Sequence, residues 1–307
     1  MCMKCQILVC YHKPSIIVAN ECLQPILVGA SNAKEENVSE LENLCRQAGV
    51  SLWRDDSGEH ISWLNPHFCE LTAMYWAWKN LDCDYYGLFH YRRIFDFKDS
   101  FALEMPRKES INHKTNIMDK YHLDSQNIVE ACRDCDILLP KKVIDHGQRK
   151  RAEDLSLYEL YDTVHHIQDL NVCLEYIALK YPQMYATALQ TIHHKPLYWH
   201  IANMCIMKKQ LYFEYCQWVF DILFGVQDRI PYYSYDSYQA RVFGFLSERL
   251  LNIWIEHKKQ TQSSLVIKEL PLVLFRLKSK KKWLGWVQDG NVRRFFVCKI
   301  RILKKRL

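Results

Sequence analysis

The sequence predicts an α/β fold with a largely parallel sheet, and three observations lead there. Short apolar runs recur at residues 6–11, 25–29, 85–89 and 136–140, the length of buried strands. Helical periodicity separates them, at 34–48, 66–80 and 124–133. Hydrophobic residues make up 49% of the 307 residues, enough to cover both faces of such a sheet and to exclude a disordered chain. In an open parallel sheet, ligands bind outside the carboxyl ends of the strands.

Each element has a local reason. Residues 6–11 form an uninterrupted apolar run, and His12 and Lys13 follow at its end. The second strand stops at Gly29. Residues 34–48 place Leu41, Leu44 and Cys45 on one helical face, and Asp55-Asp56-Ser57-Gly58 is a turn. Asn65-Pro66 opens a helix expected to run to Asn80, with Asn as cap and Pro in the first turn. The run Tyr85–Phe89 reads as a central strand that delivers His90-Tyr91-Arg92-Arg93 at its end. From Leu155 helices dominate. One spans 170–180 with Pro182 beyond its end, one 211–226 and one 238–257, and an apolar strand lies at 202–207.

Charge is unevenly spread. From Arg276 onward there are 12 Lys and Arg against a single acid, Asp289, whereas residues 1–275 carry a net −5. This basic stretch interleaves Trp283, Trp286, Phe295 and Phe296, a composition suited to the headgroup region of an anionic membrane. The acidic body and the lack of a recognisable motif argue against nucleic acid. The 13 cysteines are irregularly spaced and follow no signal peptide, so they read as reduced, buried thiols of a cytoplasmic protein. Two Cys-x-x-Cys pairs, Cys2/Cys5 and Cys132/Cys135, lack neighbours at zinc-finger spacing. No apolar stretch reaches membrane-spanning length.

The strongest chemical feature is the pair Arg92 and Arg93 at a strand end, since guanidinium forks clamp diphosphates and never lose their charge. In a continuing strand the two side chains would point to opposite sides, one to a ligand and one to an internal carboxylate. His12, Lys13, Gly29 and His90 share the strand-end position. Asp82-Cys83-Asp84 and Asp134-Cys135-Asp136 resemble metal-binding strings but precede their strands, so they read as solvated turns. Asp55 and Asp56 form an acidic pair in a loop, equally readable as a plain turn. Glu70 and Glu248 sit among apolar residues, where burial raises a carboxyl toward the range of a general base or where an arginine simply pairs with it. Asp236, Gln239 and Arg241 precede Glu248, and His166 stands three residues before Asp169. Phosphate-binding P-loop, dinucleotide, serine-hydrolase and zinc-protease motifs are all missing.

The segments Asp55 to Gly58, Asn65-Pro66, Cys69 to Ala73, Tyr75 to Asn80, Gly87-Leu88 and His90 to Arg93 resemble the signature of bacterial capsular and exopolysaccharide glycosyltransferases long described as a domain of unknown function. Tyr11-His12-Lys13, Asn203-Met204 and Gly244 to Leu250 extend the match over about residues 5–257. The resemblance implies a GT-A-like, Rossmann-type nucleotide-sugar-binding domain with a helical C-terminal part. Residues 1–257 would be the glycosyltransferase domain, about 1–150 holding the nucleotide and 151–257 the acceptor, with 258–307 as the basic aromatic tail. It implies a UDP-hexose donor, galactofuranose in some relatives, and a polyprenyl-diphosphate-linked oligosaccharide acceptor at the cytoplasmic membrane face. Expected catalytic residues are Glu248, Asp55 and Asp56. Expected donor contacts are His12, Lys13, Gly29, His90, Arg92 and Arg93, and expected acceptor contacts Glu70, His166, Asn203 and Gln239. The sequence departs from a typical GT-A enzyme in carrying His90-Tyr91-Arg92-Arg93 where an Asp-x-Asp would stand, which leaves a requirement for Mn²⁺ or Mg²⁺ open. The competing class is a non-catalytic nucleotide-sugar-binding or scaffold protein of a polysaccharide assembly complex.

Overall fold

Four parallel strands build the first half of the sheet: β1 (Cys5–Tyr11), β2 (Leu23–Leu27), β3 (Trp53–Arg54) and β4 (Tyr85–His90), in the order β3-β2-β1-β4. The computed structural model describes residues 3–98, 107–111, 115–143, 155–277, 284–289, 292–297 and 300–306. The expected α/β architecture is present. β1 is buried on both faces because its side chains alternate between two cores. Ile7, Val9 and Tyr11 enter one, and Leu8 and Cys10 the other.

Beyond β4 the sheet forks. At its start β4 pairs antiparallel with β8 (Cys205–Lys208), which pairs with β7 (Ile137–Pro140), which pairs with β9 (Ile267–Leu270). At its end β4 turns back into β5 (Arg93–Phe95), which continues to β10 (Leu272–Leu277) and β6 (Arg107–Ile111). Gly87 sits where β4 is squeezed between neighbours; a Cβ there would stand 2.8 Å from Ile7 and 2.9 Å from Ile206.

The helices cover both faces. α1 (Glu35–Gln47) follows β2, and α5 (Ser125–Arg133), capped by the Asp124 side chain, precedes β7. A short α4 (Ile117–Lys120) lies before it. The second half packs α6 (Leu157–Val164), α7 (Ile167–Lys180), α8 (Pro182–His193), α9 (Lys209–Gln227) and α10 (Val242–Thr261) into one layer. A Ser156–Glu159 capping box starts α6, and Pro182 both follows α7 and begins α8.

Two expectations need correction. The helix expected from Pro66 to Asn80 is two helices, α2 (Asn65–Phe68) and α3 (Leu71–Asn80). Asn65 does not cap: its Nδ2 donates to the Cys69 carbonyl at 2.8 Å, and Cys69 takes a positive φ of 52°. That break leaves Glu70 at the head of α3. The boundary at 257 also falls inside α10, and residues 267–277 return to the main sheet as β9 and β10. A separate antiparallel sheet follows, made of β11 (Leu284–Asp289), β12 (Val292–Val297) and β13 (Ile300–Arg306).

Candidate active site at the ends of β1 and β4

The connection order reverses between β1 and β4: from β1 the chain steps outward to β2 and β3, then returns past β1 to β4. That is a topological switch point, and a crevice opens beyond the carboxyl ends of these two strands. His12 and Lys13 come from β1, and His90 to Arg93 from β4, with Cys10 paired beside His90. They line a cavity of about 500 Å³ together with Asn65, Glu70 and Arg241. Lys13, Arg92, Arg93 and Arg241 bring four cations to it.

Arg92 and Arg93 do not diverge as a continuing strand would require. The chain reverses at Tyr91-Arg92, since His90 pairs with Arg93 across the turn, and both arginines line the cavity. Among the described residues no carboxylate comes within ion-pair distance of either. The Arg92 guanidinium lies 4.8 Å from the centre of the Tyr91 ring, and its buried Nε has no hydrogen-bond partner there.

A second chamber, about 390 Å³, shares Cys69, Glu70, Arg93 and Arg241 with the first. Its far wall carries Glu248, Asn203, His165, Tyr238 and Phe245. Glu248 is half-buried, and its Oε2 lies 3.2 Å from Arg249. Loss of solvent pushes its pKa up; Arg249, Arg93 and Arg241 pull it down; Glu70 adds to the rise, which prevails. Glu70 behaves oppositely. Burial pushes its carboxyl up, but the hydrogen bond and charge of His90, with a backbone N–H and Arg93, hold it at about 2. Its Oε1 is 3.0 Å from His90 Nε2. One cleft therefore holds a firmly ionised carboxylate and one raised toward the range of a proton acceptor.

Ala202 and Asn203, just before β8, both have positive φ, at 78° and 50°. Such strain in non-glycine residues concentrates at functional sites. Asn203 Nδ2 donates to the Gly244 carbonyl at 3.0 Å and to Ser247 at 2.7 Å, while its buried Oδ1 is unpartnered among the described residues.

The structure does not bring the other expected residues into the cleft. Asp55 is fully buried: it accepts from the Gly29 N–H at 2.9 Å, the Ala30 N–H at 3.0 Å and the Ser62 hydroxyl at 2.5 Å. With every oxygen engaged it shapes the loop and has no access to substrate. Asp56 pairs with Arg54 at 2.8 Å. Gly29 lies behind the cleft wall, where its φ of +68° and the Asn65 side chain, 2.7 Å from any added Cβ, exclude other residues. His166 packs on Tyr235, and Gln239 holds His165 Nδ1 at 3.0 Å, so both support the wall. The two Asp-x-Asp strings occupy turns ahead of β4 and β7, as expected, where Asp82 meets Lys209 and Asp136 meets Lys208.

Among the described residues no three His, Cys, Asp or Glu side chains converge as metal ligands. The carboxylates lining the cleft, Glu70 and Glu248, are held by His90 and Arg249, and the groups around them are cationic. That donor set does not fit a divalent cation.

A model of the family described as a domain of unknown function, DUF4422, matches residues 6–260. The chain belongs to the DUF4422 family. A solved structure, the apo WbbM bifunctional glycosyltransferase, superposes with a TM-score of 0.78 at 28% identity. The match covers 93% of this chain and 48% of that one, so the chain spans about half the length of WbbM. No curated protein matches the chain. The DUF4422 chain thus has a GT-A-like fold shared with a glycosyltransferase.

Sequence reasoning gave no role to Tyr91, Tyr238 or Arg249 of this DUF4422 site and named His165 only as half of a histidine doublet, but it placed Arg241 among the residues that could share the site of Glu248, and both line the second chamber. One signal was present: Arg241, Phe245, Glu248 and Arg249 are spaced as one face running into α10, and all four line the second chamber. His165 follows the end of α6 and Tyr238 lies in the turn ahead of α10, a juxtaposition no local pattern contains.

Proposed function

We propose that this DUF4422 protein is a glycosyltransferase that moves a hexose, galactofuranose included, from a UDP-sugar to a lipid-linked oligosaccharide. The observation that carries the reading is the shared wall of the two chambers. Glu70, Arg93 and Arg241 border both, so a cationic chamber suited to a nucleoside diphosphate opens onto one containing a carboxylate of raised pKa. The similarity to the bifunctional glycosyltransferase supports it.

The chemistry follows from these positions. An acceptor hydroxyl in the second chamber attacks the anomeric carbon of the donor sugar. Its oxygen forms the new glycosidic bond while the bond from that carbon to the diphosphate oxygen breaks, and the electron pair leaves with UDP. Glu248 takes the hydroxyl proton. Arg92, Arg93, Lys13 and Arg241 neutralise the charge that develops on the leaving diphosphate. No helix among the described residues is long and apolar enough to cross a membrane. The 12 basic residues from Arg276 onward suit an anionic surface at the inner face of the cell membrane, where a polyprenyl-diphosphate acceptor would be met.

The experiment is a screen of UDP-hexoses with purified protein and lipid-linked acceptors, reading released nucleotide and product mass. UDP release with a product heavier by one hexose supports the reading. UMP release would replace it with sugar-phosphate transfer. UDP-sugar binding with neither hydrolysis nor product would mark a scaffold.

A further inference from the structure

A third cavity, about 230 Å³, lies on the far side of Trp199 from Glu248. Trp199 lines both chambers; its ring is buried, its Nε1 has no partner among the described residues, and the Arg249 guanidinium packs 4.8 Å from its centre. α10 runs along both chambers. Glu248 faces the second chamber, and Asn252, Glu256 and Gln260, at successive intervals of four, face the third cavity. These four polar groups form one stripe on a helix whose remaining faces are largely apolar. Successive members are one turn apart, about 6 Å along the axis, close to the repeat of a sugar residue in a glycan.

The lining chemistry selects the ligand. Tyr198, 44% exposed, presents a ring at the rim, and exposed Gln190 stands beside it with an amide that has no partner among the described residues. Lys142 and Glu256 form an ion pair at 2.9 Å, so the cavity gathers no net charge for a phosphate. Asn252 is tied to the His200 backbone and the Gln260 oxygen to Thr187, so the Gln190 amide, the Glu256 carboxylate and the two aromatic rings are what the pocket offers, a set that suits a hydroxyl-rich ring with one apolar face. We infer that this cavity is a saccharide subsite, which holds the next sugar of an oligosaccharide acceptor whose reacting residue lies at Glu248. The inference rests on the glycosyl-transfer reading for the direction of the chain; the saccharide chemistry of the pocket stands apart from it.

The test uses the full chain on an array of mono- to hexasaccharides of hexoses and hexosamines. Wild type is expected to retain at least one oligosaccharide ten times more strongly than any monosaccharide. Tyr198→Ala and Gln190→Ala, both at exposed positions, should lose that preference with unchanged melting temperature, and Arg92→Ala should keep it. Retention of nothing beyond monosaccharides, or a preference untouched in both subsite variants, would overturn the inference. If no UDP-sugar is ever turned over but the Tyr198-dependent preference remains, the glycosyl-transfer reading fails and the subsite stands. If transfer occurs with equal KM for short and long acceptors, the subsite fails and the reading stands.

Discussion

Glu70 Oε1 lies 3.0 Å from His90 Nε2 at the junction of the two chambers. The pair joins the head of α3 to the end of β4, and so holds the arginine turn against the helix layer. Burial, with the charges of Arg93 and Arg92, keeps His90 below its ordinary pKa against the opposing pull of Glu70. Glu70→Gln should therefore act by misplacing the turn, lowering kcat/KM about ten- to a hundredfold with little change in melting temperature. A full loss of folding would show the pair to be structural alone.

Arg92→Ala and Arg93→Ala should each lower kcat/KM by roughly a hundredfold, the scale of removing one preorganised donor from a developing anion. Arg93→Lys should recover only part, since an ammonium lacks the planar fork. Near wild-type turnover in both alanine variants at saturating acceptor would sink the diphosphate assignment.

Glu248 must be ionised to accept a proton, and its pKa lies above the usual carboxylate value. Activity should thus rise with pH along a limb placed above the ordinary glutamate value of about 4.3. Glu248→Gln should abolish that limb and reduce kcat about 10²- to 10⁴-fold. A limb that survives the substitution assigns the base elsewhere.

Asp55 predicts a stability effect. Asp55→Ala leaves two backbone N–H groups and a hydroxyl without their acceptor, costing about 3 kcal/mol. Urea unfolding reads this, and the folded fraction should keep its turnover.

Burial pushes the imidazole of His200 down to about 3, against a supporting bond to the Pro140 carbonyl. Its folded value lies below its unfolded one, so the unfolded chain binds the proton more readily. Stability is complete above about pH 6.5 and is lost as pH falls toward 3. The urea midpoint should drop over that range, and His200→Gln should flatten the slope.

The tail is separable only after β10. Removing residues 284–307 should leave a folded body with weaker binding to anionic vesicles at low salt, whereas a cut at 258 takes β9 and β10 from the main sheet and should destabilise it. Unchanged vesicle binding after the shorter truncation would end the membrane proposal.

By itself the chain determined the alternation of strands and helices, because apolar runs and helical spacing are local. It also marked His12, Lys13, His90, Arg92 and Arg93, because the end of a parallel strand is where a ligand can reach. Glu248 was legible as a carboxylate among apolar neighbours. Only the tertiary structure decided that Asp55 is sealed under backbone donors, that Cys69 breaks the helix ahead of Glu70, and that Tyr91-Arg92 is a turn. It alone placed Arg241 between the two chambers and drew residues 267–277 into the sheet. The sealing of Asp55, the place of Arg241 and the return of residues 267–277 depend on partners tens of residues away in sequence, and a contact across that distance leaves no trace in residue spacing; the Cys69 break and the Tyr91-Arg92 turn are local but carry no glycine or proline to announce them.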